Sequence, residues 1–170
     1  YICHYQNFMN PYVNLLTFAL VGFGLIGFID DYLIVVQHSN KGLKPSYKYA
    51  MQSVVAIAFY FLAKAYLPNF STEIIIPIAH ISVNLGWFYP VFVYFMFTAE
   101  SNAVNLTDGL DGLATGLMII ALTPFAAFAI LSKNIEAAIF GAALMGGLAG
   151  FLVFNAHPAK IFMGDCGSLA

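Results

Sequence analysis

The sequence predicts an all-α fold, a polytopic transmembrane bundle of about five helices, and three observations carry that prediction. Of 170 residues, 61% are hydrophobic and only 8% are charged, against roughly a quarter charged in an ordinary soluble domain. Residues 1–29, 74–99, 112–132 and 137–159 contain no Asp, Glu, Lys or Arg, and a helix needs about 20 apolar residues to cross hydrocarbon. A shorter uncharged run, 49–63, lies between Lys48 and Lys64, whose long stems can reach the interfaces and extend the span.

Taken in order, the first span covers about Tyr12–Ile29 and ends at Asp30-Asp31. The following loop carries Lys41, Lys44 and Lys48, a concentration of positive charge that marks the cytoplasmic side. The second span runs from about Tyr47 to Leu67, and Pro68–Leu85 becomes an external segment. Within it, Ile74-Ile75-Ile76-Pro77-Ile78 is too short to span and reads as a short strand or a re-entrant piece. The third span, about Gly86–Ala99, delivers Glu100 through Asp111 to the cytoplasm. The fourth runs out to Leu131, Lys133-Asn134 forms an external turn, and the fifth returns to Asn155. Alternate crossing then puts Asp30/Asp31, Asp108/Asp111 and Asp165 on one face of the membrane. Carboxylates at the edge of a bilayer are costly unless solvated, paired or metal-bound, so their convergence points to a site.

The net charge of −2, with six lysines and no arginine, excludes a broad basic face, and nucleic acid is not an expected partner. Cys3 and Cys166 have no metal-type spacing and read as ordinary thiols. His4, His38, His80 and His157 are too dispersed to form a cluster. His4 and His80 fall on the external side, and His157 reads as a structural interfacial residue. The chain opens at Tyr1 without an initiator Met and stops at Ala170 directly after a polar motif, so residues 1–170 read as a single domain truncated at both ends.

Three motifs carry chemistry. Asp30-Asp31 can pair one metal-holding carboxylate with one that takes a proton. Asn102, Asn105, Asp108 and Asp111 recur at every third position, yet over that length positions 102 and 111 lie about 180° apart on an α-helix. One helix wall cannot hold all four, so the helix is expected to end near Gly109 and Gly112, where backbone and polar side chains curl around a ligand such as a nucleotide diphosphate with magnesium. In Phe162-Met-Gly-Asp-Cys-Gly-Ser168, Asp165 is a hard oxygen donor for Mg²⁺, glycines expose backbone N–H groups, and Ser168 is expected to cap a helix. Glu100 is a further candidate.

Those motifs, Gly27-Phe-Ile-Asp-Asp-Tyr-Leu33 with Asn40-Lys-Gly-Leu43, Asn102 through Ala114, and Phe162 through Leu169, resemble the phospho-N-acetylmuramoyl-pentapeptide transferase family. That family lies within the polyprenyl-phosphate N-acetylhexosamine-1-phosphate transferase superfamily. The resemblance implies that phospho-N-acetylmuramoyl-pentapeptide is transferred from its UDP derivative (UDP-MurNAc-pentapeptide) to undecaprenyl phosphate, giving UMP and lipid I for peptidoglycan. It also implies Mg²⁺ as cofactor, a multi-pass protein of the bacterial plasma membrane with the site facing the cytoplasm, and a homodimer by family precedent. By residue, it implies Asp165 as metal ligand, catalysis by Asp30, Asp31 and Asp165, and substrate binding by Asn102, Asn105, Asp108, Gly109, Leu110, Asp111 and Phe162, with Phe162 stacking on uracil.

The pattern departs at Ile34, where the family has a lysine, which leaves two alternatives: Lys41 or Lys44 reaches the phosphates from the loop instead, or the protein is impaired. The resemblance also implies that segments outside this chain complete the site, so residues 1–170 alone are expected to be inactive. Two rival readings use the same features. A transferase of N-acetylglucosamine phosphate shares the Asp-Gly-Leu-Asp-Gly core. An ion-coupled transporter also has intramembrane acids and glycine-broken helices, but it needs those acids near the bilayer midplane.

Overall fold

The computed structural model describes residues 10–38, 42–68, 70–76, 79 and 81–170. Cys3, His4, Lys41, Pro77, Ile78 and His80 lie outside the described residues. Helix α1 spans Pro11–Val36, α2 Pro45–Tyr66, α3 Tyr89–Thr107, α4 Leu113–Leu131 and α5 Ile135–Asn155, with a short α6 over Gly164–Ser168. A two-stranded antiparallel hairpin, β1 (Glu73–Ile76) with β2 (Ile81–Asn84), fills the α2–α3 connection.

Local chemistry accounts for the helix starts. The Asn10 side chain accepts the Tyr12 N–H at 2.9 Å and Pro11 opens α1, while the Asn134 side chain accepts the Ala137 N–H at 3.2 Å at the start of α5. Both are the expected uses of Asn and Pro at a helix N-terminus. Helix α3 closes at Thr107, and Gly112 has φ +72° just before α4. A left-handed residue there turns the chain at little cost only because it is glycine. The expected break between Asn105 and Gly112 is therefore present.

Among the described residues, three helices, α1, α4 and α5, are long and apolar enough to cross a membrane by length and composition alone. Their outward surfaces are apolar: Val21, Phe128, Leu131 and Val153 are all exposed. In water such a surface would drive association, whereas lipid solvates it. Helices α2 and α3 dilute their apolar character with Lys48, Gln52, Ser101, Asn102 and Asn105, all of which point inward to polar partners. Phe97 joins α3 to both neighbours, with ring centroids 5.5 Å from Phe23 of α1 and 4.7 Å from Phe59 of α2.

Several boundaries differ from expectation. Helix α1 runs through Asp30 and Asp31 to Val36 instead of stopping before them, because both carboxylates find partners inside the bundle. Helix α3 begins at Tyr89 after a single 3-10 turn at Gly86–Phe88 and extends past Ala99 to Thr107. Ile74–Ile76 is a strand, and its partner Ile81-Ser-Val-Asn84 was the unanticipated half of the hairpin, although its alternation has the strand period. Ser168 ends α6, and the N-cap position of that helix is Met163, not Ser168.

Helices α1 and α6 touch backbone to backbone at Gly27. A Cβ on Gly27 would overlap the backbone carbonyl of Asp165, so only glycine lets α6 lie directly on α1, one turn below Asp31. Gly27→Val is expected to push α6 away and destabilise the protein by about 1–3 kcal/mol, as overpacking generally does; a thermal melt of the detergent-solubilised protein checks it, and an unchanged midpoint would refute the contact.

Candidate functional site

Asp30, Asp31 and Asp165 each offer a carboxylate oxygen, and the three oxygens lie within 4.8 Å of one another. Residues 134 positions apart in sequence meet here because α6 is seated against α1. Each carboxylate has a distinct set of partners.

Asp31 accepts the backbone N–H of Asp165 at 3.2 Å and of Cys166 at 2.9 Å. It thereby satisfies two of the free N–H groups that open α6, the service a capping side chain normally provides from within the same segment. Asp30 is 7% exposed and accepts the Leu43 N–H at 2.6 Å, which ties the loop after α1 back onto the helix. Asp165 is held from two sides. One of its oxygens accepts from Lys48 Nζ of α2, the other from Asn105 Nδ2 of α3 at 2.7 Å. Asn105 also donates to the Ser168 hydroxyl at 2.8 Å, and Lys48 Nζ lies 3.8 Å from Asp30. Burial works against the charged form of Asp165, but the hydrogen bonds it accepts, those from Lys48 and Asn105 among them, outweigh it and hold the carboxyl below the usual carboxylate range.

Asp108 sits at the C-terminal end of α3, close to Gly164 and Asp165 of α6. Burial pushes its carboxyl up, and the nearby Asp165 charge adds to that rise. Asp111 belongs to a separate pairing. Its Oδ2 is 2.9 Å from His157 Nδ1 and accepts the Ala159 N–H at 3.0 Å; the Ala159 bond first, then His157, holds this carboxyl low. His157 thus has a defined partner among the motif residues, although its side chain is 85% exposed. Gly109, Leu110 and Phe162 are exposed around this group.

Asn102 does not reach the carboxylates. Its amide donates to Gln52 Oε1 at 3.0 Å and to its own Thr98 carbonyl at 2.7 Å. Glu100 borders an apolar cavity of about 770 Å³ between α1, α3, α4 and α5, lined by residues such as Phe23, Phe97, Phe125 and Phe151. It has no place in the carboxylate cluster.

Among the described residues, the cation that reaches the cluster is Lys48. Lys44 is exposed at the start of α2, and Lys41 lies outside the described residues. In the sequence, Lys48 reads as the flank of a span and as one of the lysines that mark the cytoplasmic side. Its spacing from Pro45, one turn into a helix rising from the acidic side, was the available signal, but only packing reveals that this face turns toward α6. Ile34 stands one turn beyond Asp30 on α1.

Hard oxygen donors grouped this closely suit a divalent cation of the Mg²⁺ type, which is held by one or two carboxylates together with water and substrate phosphate. Asp30, Asp31 and Asp165 each offer one such oxygen.

A family model described as "Glycosyl transferase family 4" matches residues 13–170. Curated relatives named phospho-N-acetylmuramoyl-pentapeptide-transferase include one from Bacillus subtilis (strain 168), 51% identical over 165 residues, covering 95% of this chain and 49% of the relative. A Bacillus licheniformis relative of the same name is 53% identical over 159 residues, covering 92% of this chain and 48% of the relative. One from Staphylococcus aureus is 49% identical over 162 residues, covering 95% and 50%. The chain spans about half the length of the curated relatives it matches.

Replacing Asp31 by Ala removes the acceptor of two α6 N–H groups and is expected to cost about 0.5–2 kcal/mol locally, the range for a lost cap. In a Cys3→Ser background, the half-buried Cys166 thiol should then react faster with a maleimide, and Asp31→Asn, which keeps one acceptor oxygen, should react at an intermediate rate. Equal rates in all three proteins would mean that Asp31 does not hold α6.

Proposed function

The chain belongs to glycosyl transferase family 4, and from that premise we propose that it is part of the single transmembrane catalytic domain of a phospho-N-acetylmuramoyl-pentapeptide transferase. The reaction moves the sugar phosphate of UDP-MurNAc-pentapeptide onto undecaprenyl phosphate, releasing UMP and forming lipid I. The observation that carries the reading is the convergence of Asp30, Asp31 and Asp165 with Lys48 and Asn105, in a chain about half identical to relatives that bear this name. The domain is multi-pass in the bacterial plasma membrane and presents this site to the cytoplasm, as the lysines after α1 and the common side of the acidic motifs favour. A homodimer is the family precedent and forms part of the proposal.

Phosphoryl transfer needs charge neutralisation and alignment more than covalent chemistry from the protein. An oxygen of the lipid phosphate attacks the sugar-linked phosphorus, and UMP leaves. Asp30, beside Lys48, is suited to accept a proton from the lipid phosphate. The Lys48 ammonium is suited to draw the phosphate oxygens toward Asp165. Asn105 fixes the Asp165 carboxylate, and Asp31 keeps α6 in position. Mg²⁺ bound by Asp165, with Asp30 adjacent, would neutralise charge developing on the transferred group. Asp108, Gly109, Leu110 and Asp111 form the nucleotide side, with the exposed Phe162 ring available to stack on uracil.

The test is Mg²⁺-dependent UMP release by the full-length parent protein in detergent with undecaprenyl phosphate, comparing UDP-MurNAc-pentapeptide with UDP-N-acetylglucosamine. Release from the first alone is expected. Release from the second alone would reassign the protein to surface-polysaccharide synthesis. Asp165→Asn should lower the rate by on the order of 10²-fold or more. Ile34→Lys, which restores a cation one turn from Asp30, should raise it; an unchanged or lower rate would mean that Lys48 already meets the need.

A further inference from the structure

Below the carboxylate cluster lies a second polar layer in an otherwise apolar helix pair. Gln52 of α2 is 0% exposed. Its Nε2 donates to Ser101 Oγ at 3.3 Å, and its Oε1 accepts from Asn102 Nδ2 at 3.0 Å. Both ends of the amide are used, both partners belong to α3, and Ser101 is itself buried. An amide buried in this way is costly to leave unpaired. Any slide or rotation of α2 against α3 would break both bonds at once. A single buried polar residue in an apolar helix interface is the best-attested device for fixing register.

What that register governs is one turn away. Lys48 precedes Gln52 by four residues, and Asn105 follows Ser101 by four, so each lies on the same helix face as its neighbour in the clamp. These two residues hold the two oxygens of Asp165, one from each helix. The alignment of α2 with α3 therefore sets the orientation of the Asp165 carboxylate.

We propose that Gln52 is a positioning residue for the transfer reaction: with Ser101 and Asn102 it locks α2 to α3 so that Lys48 and Asn105 grip Asp165 together. This also assigns Asn102 to the clamp and not to the substrate, since its amide hydrogens are spent on Gln52 and Thr98. The inference rests on the proposed function and extends it to residues that touch no substrate.

The experiment uses the full-length parent protein and Gln52→Met, which keeps side-chain volume and removes both bonds. Expected is a fall in kcat for UMP release of on the order of 10- to 100-fold, the scale on which small misplacements act. KM for the UDP substrate should stay within about twofold, with a melting midpoint near that of the wild type. Asn102→Leu should reproduce the effect, and Gln52→Met added to Asn102→Leu should lower kcat no further, because one clamp has already been lost. An unchanged kcat overturns the proposal, as does a loss that tracks a collapse in melting midpoint or appears in KM alone.

A second readout does not depend on the reaction. Spin labels on Val54 of α2 and Ala103 of α3, both exposed, should show a broadened dipolar distance distribution in Gln52→Met. An unchanged distribution overturns the clamp even if the wild type releases no UMP, whereas a broadened one in an inactive wild type would retire the proposed reaction and keep the lock.

Discussion

A carboxylate at the edge of an apolar bundle stays charged only if donors are fixed around it, and Asp165 is supplied from two helices. Lys48 approaches from α2 and Asn105 from α3, while Asp31 of α1 holds the backbone on which Asp165 is carried. Four elements are thus committed to one side chain. Gly27 serves that commitment by yielding the space in which α6 lies.

The two halves of the acidic equipment divide their labour by partner. Asp30, Asp165 and Lys48 form a compact charged group in which net charge is partly balanced before any phosphate arrives. Asp111 faces outward, paired with His157 and the Ala159 N–H, and steadies the loop that leads to Phe162. Asn155 serves the same loop from below, bonded to Thr115 and to the Ile161 carbonyl while almost fully buried. Rigid support beneath exposed groups suits a site that must align two phosphates, since preorganised dipoles lower a barrier only if they do not have to move.

Much of this was legible in residue order. Uncharged runs and their flanking charges located the five long helices, and the incompatibility of a three-residue repeat with 3.6 residues per turn located the break before α4. Asp30, Asp31 and Asp165 were singled out because a carboxylate beside a long apolar run needs a reason. Lys48 was passed over because lysine at a span end ordinarily reaches for the interface, and its sequence neighbours say nothing about which way its helix face turns. Gln52 was invisible for a related reason: one amide in an apolar run has no periodicity.

By itself, then, the sequence determined the class of solvent, the helices, the turn at Gly112 and the identity of the acidic groups, since hydropathy, helical period and glycine's backbone freedom act locally. Only tertiary structure decided which of those groups meet. Asp31 capping a helix that begins 133 residues later, Lys48 taking an oxygen of Asp165, and Gln52 bridging to Ser101 and Asn102 all depend on the approach of α1 to α6 and on the register of α2 against α3. Those are properties of packed surfaces, where a displacement of one helical turn would change every partner while leaving the sequence pattern untouched.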